Sequence, residues 1–282
     1  MKIGIHTYAW GSHFGNDTLY IIDRCKEIGL DFIEFPLMEI DQFDPAAVKD
    51  RLDGAIEPTC STIIPNPQWD IGSSDPEKRK LGLDFLKECI DKTAAVGATM
   101  FSGMGYVLPY KPVPPGPAPE MEWEYCTATM KQVAKYAQDF GITVGIEPAS
   151  RFANHLVNTA DQALKFVRMV DEPNVIIHFD SFHMCYEERN FGDAIRKVGD
   201  KLGYFHLCGN DRGRPGYDDI INWDEVFEAF KEVGFDGYAG FEGFDMTCDS
   251  IYRDIIGDPV QFAKDSLEFT LEMMDKYGFR RG

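Results

Sequence analysis

A closed (β/α)8 barrel is the fold this sequence predicts, and three observations predict it. Strand-like and helix-like segments alternate from one end of the chain to the other, eight of each. Alternation of this kind implies a parallel sheet, and eight units suggest a sheet that closes on itself. Several helical patterns run into a glycine, in "KEIGLDF", "AAVGATM", "QDFGITV" and "KEVGFDG", where a left-handed residue ends a helix before the next strand. An open doubly wound sheet would need a phosphate-cradling Gly-rich turn after a strand, and the chain has none. The 282 residues suit one barrel, so a single domain over 1–282 is expected.

In chain order the strands are expected at 2–8, 32–37, 55–61, 98–104, 143–148, 175–181, 203–208 and 237–243. The helices are expected at 17–29, 45–53, 76–96, 120–140, 159–171, 190–200, 223–234 and 259–277. The first strand sets Ile3, Ile5 and Thr7 against Gly4, His6 and Tyr8, because successive side chains point to opposite faces. After the fourth strand comes "GYVLPYKPVPPGPAPEME", residues 105–122, with Pro109, Pro112, Pro114, Pro115, Pro117 and Pro119. Proline fixes φ, so this is a stiff loop. Its place on the βα side reads either as a rigid surface excursion or as a substrate-side lid.

Composition limits the partners. There are 28 Lys+Arg against 47 Asp+Glu, a formal net charge of −19. Such a surface repels phosphate backbones, so neither nucleic acid nor an anionic membrane is expected as a partner. The seven cysteines are odd in number and irregularly spaced, without C-x-x-C. They read as reduced thiols. The start "MKIGIHTYAW" enters a strand pattern at once, and no apolar run reaches spanning length. A soluble, cytoplasmic protein is expected.

The chemistry concentrates in the last four strands: "TVGIEP" with Glu147, "VIIHFDSFH" with Asp180, "YFHLCG" with His206 and "YAGFEGF" with Glu242. Alternation gives each strand an apolar face for the helix ring: Val144 and Ile146; Val175, Ile177 and Phe179; Phe205 and Leu207; Ala239 and Phe241. The opposite faces carry Gly145 and Glu147; Ile176, His178 and Asp180; Tyr204 and His206; Tyr238, Gly240 and Glu242. Four ligand-type side chains thus converge at the barrel mouth, and Gly145 and Gly240 are expected to leave space beneath them. Any one alone reads as a cap, a turn residue or a satisfied core histidine; the shared register is what points to a metal. Three carboxylates and one imidazole favour one divalent ion, Mn²⁺ first, with Co²⁺ or Mg²⁺ as alternatives. Cys208, on the same inward face as His206, reads first as a pocket-lining residue and otherwise as a contact of the metal. His178 is expected to hydrogen-bond inside the barrel, and His13 and His155 to be structural or exposed.

At these residues the chain resembles the D-tagatose/D-allulose 3-epimerases, a branch of the xylose-isomerase-like TIM barrels. The resemblance spans nearly the whole chain and is densest in "GIEPASRFANHLVNTA", "FDSFHMCYEERNFGDAIRKVGDKLGYFHL", "NDRGRPG", "WDEVFEAF" and "GFEGF". It implies that Glu147, Asp180, His206 and Glu242 bind the metal, that Glu147 and Glu242 are the catalytic acid/base pair, and that His183 and Arg212 hold substrate oxygens. It also implies proton abstraction beside the ketone of a sugar, with return of a proton from the opposite face, and a homo-oligomer. The pattern E-x-x-N-R-F-E reads "EPASRFA" here. Arg151 is kept, while Ala153 replaces a Glu that contacts substrate. His6 stands for a Tyr, Phe14 for a Trp, and "GYVLPYKP" lacks the loop Trp. Phe14, Arg151 and His6 are therefore expected around an altered substrate pocket, with His6 either a hydrogen-bonded barrel histidine or an added acid or base.

The alternative is the catalytic subunit of a C-glycoside deglycosidase, which takes the same proton from a 3-oxo-glycoside and then eliminates the aglycone. That reading adds a small partner subunit. A nuclease resembling endonuclease IV shares the barrel, but the acidic charge and the single set of four ligands argue against it. A non-catalytic sugar-binding subunit would not need two carboxylates opposed across a metal.

Overall fold

Eight strands pair in chain order, each parallel to its neighbours, and the first closes on the eighth. They are β1 (Lys2–His6), β2 (Phe32–Pro36), β3 (Glu57–Ser61), β4 (Met100–Ser102), β5 (Thr143–Ile146), β6 (Val175–Asp180), β7 (Leu202–Leu207) and β8 (Tyr238–Phe241). The helices are α1 (Tyr20–Ile28), α2 (Pro45–Leu52), α3 (Pro76–Val96), α4 (Glu120–Gln138), α5 (Ala160–Val170), α6 (Ser181–Glu187), α7 (Phe191–Val198), α8 (Trp223–Val233) and α9 (Pro259–Tyr277). This computed structural model describes residues 1–249 and 251–282.

Local chemistry sets the helix ends. α3 starts where the Asp75 side chain accepts the Glu77 N–H at 2.9 Å and Pro76 pre-sets φ. It ends at Gly97, whose φ of 90° turns the chain into β4. α5 opens with a capping box between Thr159 and Gln162 and closes on Asp171 at φ 55°. Seven strands are shorter than the sequence pattern suggests, most of all β4, while β7 keeps its length and starts one residue earlier. One helix was not expected. β6 does not run to residue 181; it stops at Asp180, whose carboxylate accepts the Phe182 N–H at 2.7 Å and starts α6.

The outer faces of the strands join the helices in one continuous core, from Ile3 and Ile5 through Val144, Ile177 and Phe205 to Phe241. The barrel interior holds a separate apolar plug of Phe32, Met100 and Tyr204, with Ile176 and Tyr238 packed on it. Above the plug the interior turns polar. Residues paired in register carry that layer: His6 with Glu34, Asp180 with His206, His206 with Gly240. An irregularity at Ile177/His178 shifts the β6–β7 register and sets Asp180 beside His206. The room that the two glycines leave is taken by neighbouring hydroxyls. A Cβ on Gly145 would collide with the Ser102 hydroxyl, and one on Gly240 would lie 3.2 Å from the Tyr204 hydroxyl. No described helix is long and apolar enough to cross a membrane.

Candidate metal and active site

One ligand atom from each of Glu147, Asp180, His206 and Glu242 can be chosen so that all four lie within 4.8 Å of one another, and all four residues are buried. They come from the C-terminal ends of β5, β6, β7 and β8, the face on which such barrels carry their sites. Glu147 and Glu242 sit one residue past their strands and approach from β5 and β8, which do not pair with each other. Asp180 serves twice, since one oxygen caps α6 while the other meets Arg212. The cap reading and the ligand reading of a strand-end Asp are therefore compatible here.

Arg212 is the cation that makes these buried carboxylates tolerable. Its Nη1 donates to both Asp180 and Glu242. Its guanidinium lies between the rings of Phe182 and Phe244, 4.3 and 4.6 Å from their centroids. Arg212 has φ 71°, a left-handed conformation that costs a non-glycine residue roughly 1–3 kcal/mol. His183 Nε2 lies 3.4 Å from Arg212 Nη2 and 3.9 Å from both Glu147 and Asp180. Cys208 Sγ is 3.5 Å from Asp180 Oδ1.

Burial and the neighbouring Glu242 charge push the Glu147 carboxyl well above the usual carboxylate range. Burial opposes the charge on Glu242 too, but Arg212 and His206 outweigh it and hold that carboxyl down. Burial lowers His183 to about 3, which keeps its imidazole neutral. His206 is raised well above its ordinary value, because Glu242 and Glu34 outweigh its burial.

Glu34, on β2, was not anticipated. Its Oε2 lies 2.8 Å from His206 Nε2 and also accepts the Tyr204 hydroxyl. A single carboxylate inside the apolar run "FIEFP" is the same signal that singled out Asp180. With Nε2 committed to Glu34, His206 directs Nδ1 at the ligand set, 3.3 Å from Glu242, and that buried atom has no hydrogen-bond partner. An unpartnered buried nitrogen among three carboxylates fits a divalent cation. Tyr106 was also missed; its hydroxyl donates to the Glu147 carbonyl at 2.8 Å and fixes the backbone that presents this side chain.

The other expected residues make contacts of their own, His6 with its ring 6.3 Å from that of His206. His6 Nδ1 accepts the Tyr8 N–H at 3.1 Å, so its proton sits on Nε2, which faces Ser61 at 3.4 Å and Glu34 at 3.9 Å. This is the barrel-histidine arrangement. Phe14 is not in the mouth, because it packs on Phe35 and Phe43 under the helices, at ring distances of 4.8 and 6.2 Å. Arg151 is exposed and clamped to Glu187 at 2.9 and 3.0 Å, which draws it away from the centre. His178 Nδ1 pairs with Ser102 at 2.6 Å. His13 is exposed between Glu39 and Asp17. In the Pro-rich loop, Lys111 reaches Asp70 at 2.9 Å and Glu122 at 2.6 Å, and His155 reaches Glu122 at 3.0 Å. The cysteines are all free.

A closed barrel with a carboxylate-rich candidate cation site at its C-terminal mouth defines a class, and the comparisons with known proteins agree. The pattern described as Xylose isomerase-like TIM barrel matches residues 22–273. The chain is 32% identical over 248 residues to the ketose 3-epimerase of Arthrobacter globiformis, covering 88% of this chain and 85% of that one. The crystal structure of D-allulose 3-epimerase from Methylomonas sp. superposes with a TM-score of 0.91 at 28% identity, over 97% of this chain and 98% of that one. The 3-keto-D-glucoside 4-epimerase of E. coli gives 0.77 at 25% identity, over 96% and 99%. The chain belongs to the xylose isomerase-like TIM barrels. Within that family it is an enzyme of the isomerase and epimerase kind, alongside the sugar 3-epimerases.

Proposed function

We propose that this protein is a divalent-metal-dependent epimerase of a keto sugar, with a pocket altered from that of the ketose 3-epimerases. The observation that carries the reading is the convergence of Glu147, Asp180, His206 and Glu242 within 4.8 Å. A cation held by these four, Mn²⁺ in the first place and Co²⁺ or Mg²⁺ otherwise, would polarise the ketone and stabilise the enediolate oxygens. Glu147 and Glu242 would exchange a proton with the carbon beside the ketone, one from each side. Arg212 and neutral His183 would hold the substrate oxygens. Ala153, buried with its carbonyl accepting the Tyr110 N–H at 2.7 Å, leaves out the carboxylate that would grip a small ketose.

That missing contact favours a larger substrate as a second reading. The E. coli relative is a 3-keto-D-glucoside 4-epimerase by its name, and a keto-glycoside offers the same acidic carbon. With elimination in place of reprotonation, the activity would be that of a C-glycoside deglycosidase subunit with a small partner. We place the protein in the cytoplasm, as a homo-oligomer in the epimerase case. The test incubates metal-stripped and Mn²⁺-reloaded protein with free ketohexoses, a methyl 3-keto-glucoside and a 3-keto C-glycoside, followed by chromatography. Metal-dependent epimers support the first reading and a released aglycone the second. Equal turnover without metal would overturn both.

A further inference from the structure

His178 is the buried group this chemistry leaves unused. It sits in β6 two residues before Asp180, fully buried. Its Nδ1 is 2.6 Å from the Ser102 hydroxyl, and its Nε2 has no hydrogen-bond partner. A buried unpartnered nitrogen is costly unless something meets it. The His178 ring stands nearly perpendicular to that of His206, with centroids 4.1 Å apart. One ligand atom each from His178, His206 and Glu147 fall within 4.8 Å of one another, a grouping that shares Glu147 and His206 with the four-residue set but contains neither Asp180 nor Glu242.

From this geometry we infer that His178, His206 and Glu147 form a second cation position beneath the first, suited to Zn²⁺. Two imidazoles and one carboxylate are a tetrahedral zinc set with one place left for water. The upper set, three carboxylates and one imidazole, suits harder ions. When His178 donates Nδ1–H to Ser102, Nε2 presents a lone pair to the ion, an orientation fixed by the outer partner. The two positions exclude each other. His206 Nε2 is bound to Glu34 at 2.8 Å, so only Nδ1 is free, and one nitrogen binds one ion. Zinc in the lower position withdraws His206 and Glu147 from the upper. It therefore acts as an inhibitor rather than an activator, a consequence that rests on the proposed catalytic role of the upper set.

The test uses metal-stripped full-length protein, with Zn²⁺ and Mn²⁺ titrated separately into wild type, His178→Gln and Asp180→Asn, and X-ray absorption on the zinc-loaded wild type. The expected result is two imidazoles on zinc in the wild type. His178→Gln should weaken Zn²⁺ at least tenfold more than it weakens Mn²⁺. Asp180→Asn should lose Mn²⁺ and keep Zn²⁺ within about threefold. A single imidazole on zinc, or joint loss of both ions in Asp180→Asn, places zinc in the upper set and overturns the inference. Loss of Zn²⁺ selectivity with normal Mn²⁺ activation leaves the proposed function intact, whereas zinc binding with no binding of Mn²⁺, Co²⁺ or Mg²⁺ in the wild type sinks that function and not the lower site. If His178→Gln fails to fold, the imidazole count is repeated on His183→Gln, where two imidazoles on zinc support the lower position and one overturns it.

Discussion

Glu34 Oε2 lies 2.8 Å from His206 Nε2, and both side chains are almost wholly buried on the interior wall of the barrel. The carboxylate fixes which imidazole nitrogen carries the proton and turns the other towards Glu147 and Glu242. Partners of this kind orient a metal ligand and raise its basicity.

Glu34→Gln keeps the shape but removes the charge. Mn²⁺ affinity is expected to fall about 10–100-fold, the range seen when such outer partners are replaced. Isothermal titration of the metal-stripped variant, with a melting curve alongside, checks this. An unchanged Mn²⁺ affinity would make Glu34 a packing residue only. Glu34→Ala also strands His206 and the Tyr204 hydroxyl, and is expected to cost about 3 kcal/mol of stability.

The pocket change is tested by Ala153→Glu. If the native alanine omits a carboxylate for a small ketose, D-fructose, D-tagatose and D-allulose should be poor substrates of the wild type. The variant should raise their kcat/KM about tenfold or more, because a hydroxyl left without its buried partner costs roughly 1–3 kcal/mol. Efficient turnover of free hexuloses by the wild type would refute the altered pocket.

The sequence carried the barrel well because its signals were local. Glycine stops, Asp–Pro helix starts such as Asp75–Pro76, and two-residue alternation each act within a few positions. The last four strands were legible for the same reason, since alternation alone puts Asp180 and His206 on inward faces that the register then pairs. What escaped depends on contacts across the barrel. Glu34 meets His206 from 172 positions away, and no local pattern links them. Phe14 was misplaced because a loop residue's direction follows from packing, here against the outward ring of Phe35. The helix at Ser181–Glu187 was hidden because the strand pattern through Phe179 and Asp180 continues smoothly into it.

The Pro-rich loop has a pH-dependent anchor. Burial alone would raise the Glu122 carboxyl, but hydrogen bonds from His155 and Lys111 outweigh it and hold it below the ordinary range. A depressed folded-state value means that the stabilisation is complete above the unfolded value, about 4.3 for Glu, and is lost as pH falls through the folded value. Glu122→Gln should therefore melt below wild type near neutral pH by a margin on the order of these contacts' worth, roughly 1–3 kcal/mol. The margin should shrink once the pH drops under about 4. A margin that stays flat down to pH 3 would mean that Glu122 contributes by shape and not by charge.

The two glutamates at the mouth are proposed both as ligands and as proton carriers, so loss of activity in a variant would not separate the roles. Isotope exchange separates them. A carboxylate that removes the proton beside the ketone should wash solvent deuterium into that carbon, and a pair working from two sides should do so for both epimers. Glutamine still offers a carbonyl oxygen to a cation but cannot take a proton. Glu147 approaches from β5 and Glu242 from β8, on opposite flanks of His206, at 4.0 and 3.3 Å from its Nδ1. At least one of Glu147→Gln and Glu242→Gln should keep measurable Mn²⁺, lose net turnover, and exchange deuterium with one epimer alone. If both variants bind the ion and exchange both epimers near the wild-type rate, the glutamates are ligands only. The proton would then need another carrier. His6 is ill placed for that, since its Nδ1 is held by the Tyr8 N–H. His183, 3.9 Å from Glu147 and Asp180 with an unpartnered Nδ1, would be the group to replace next.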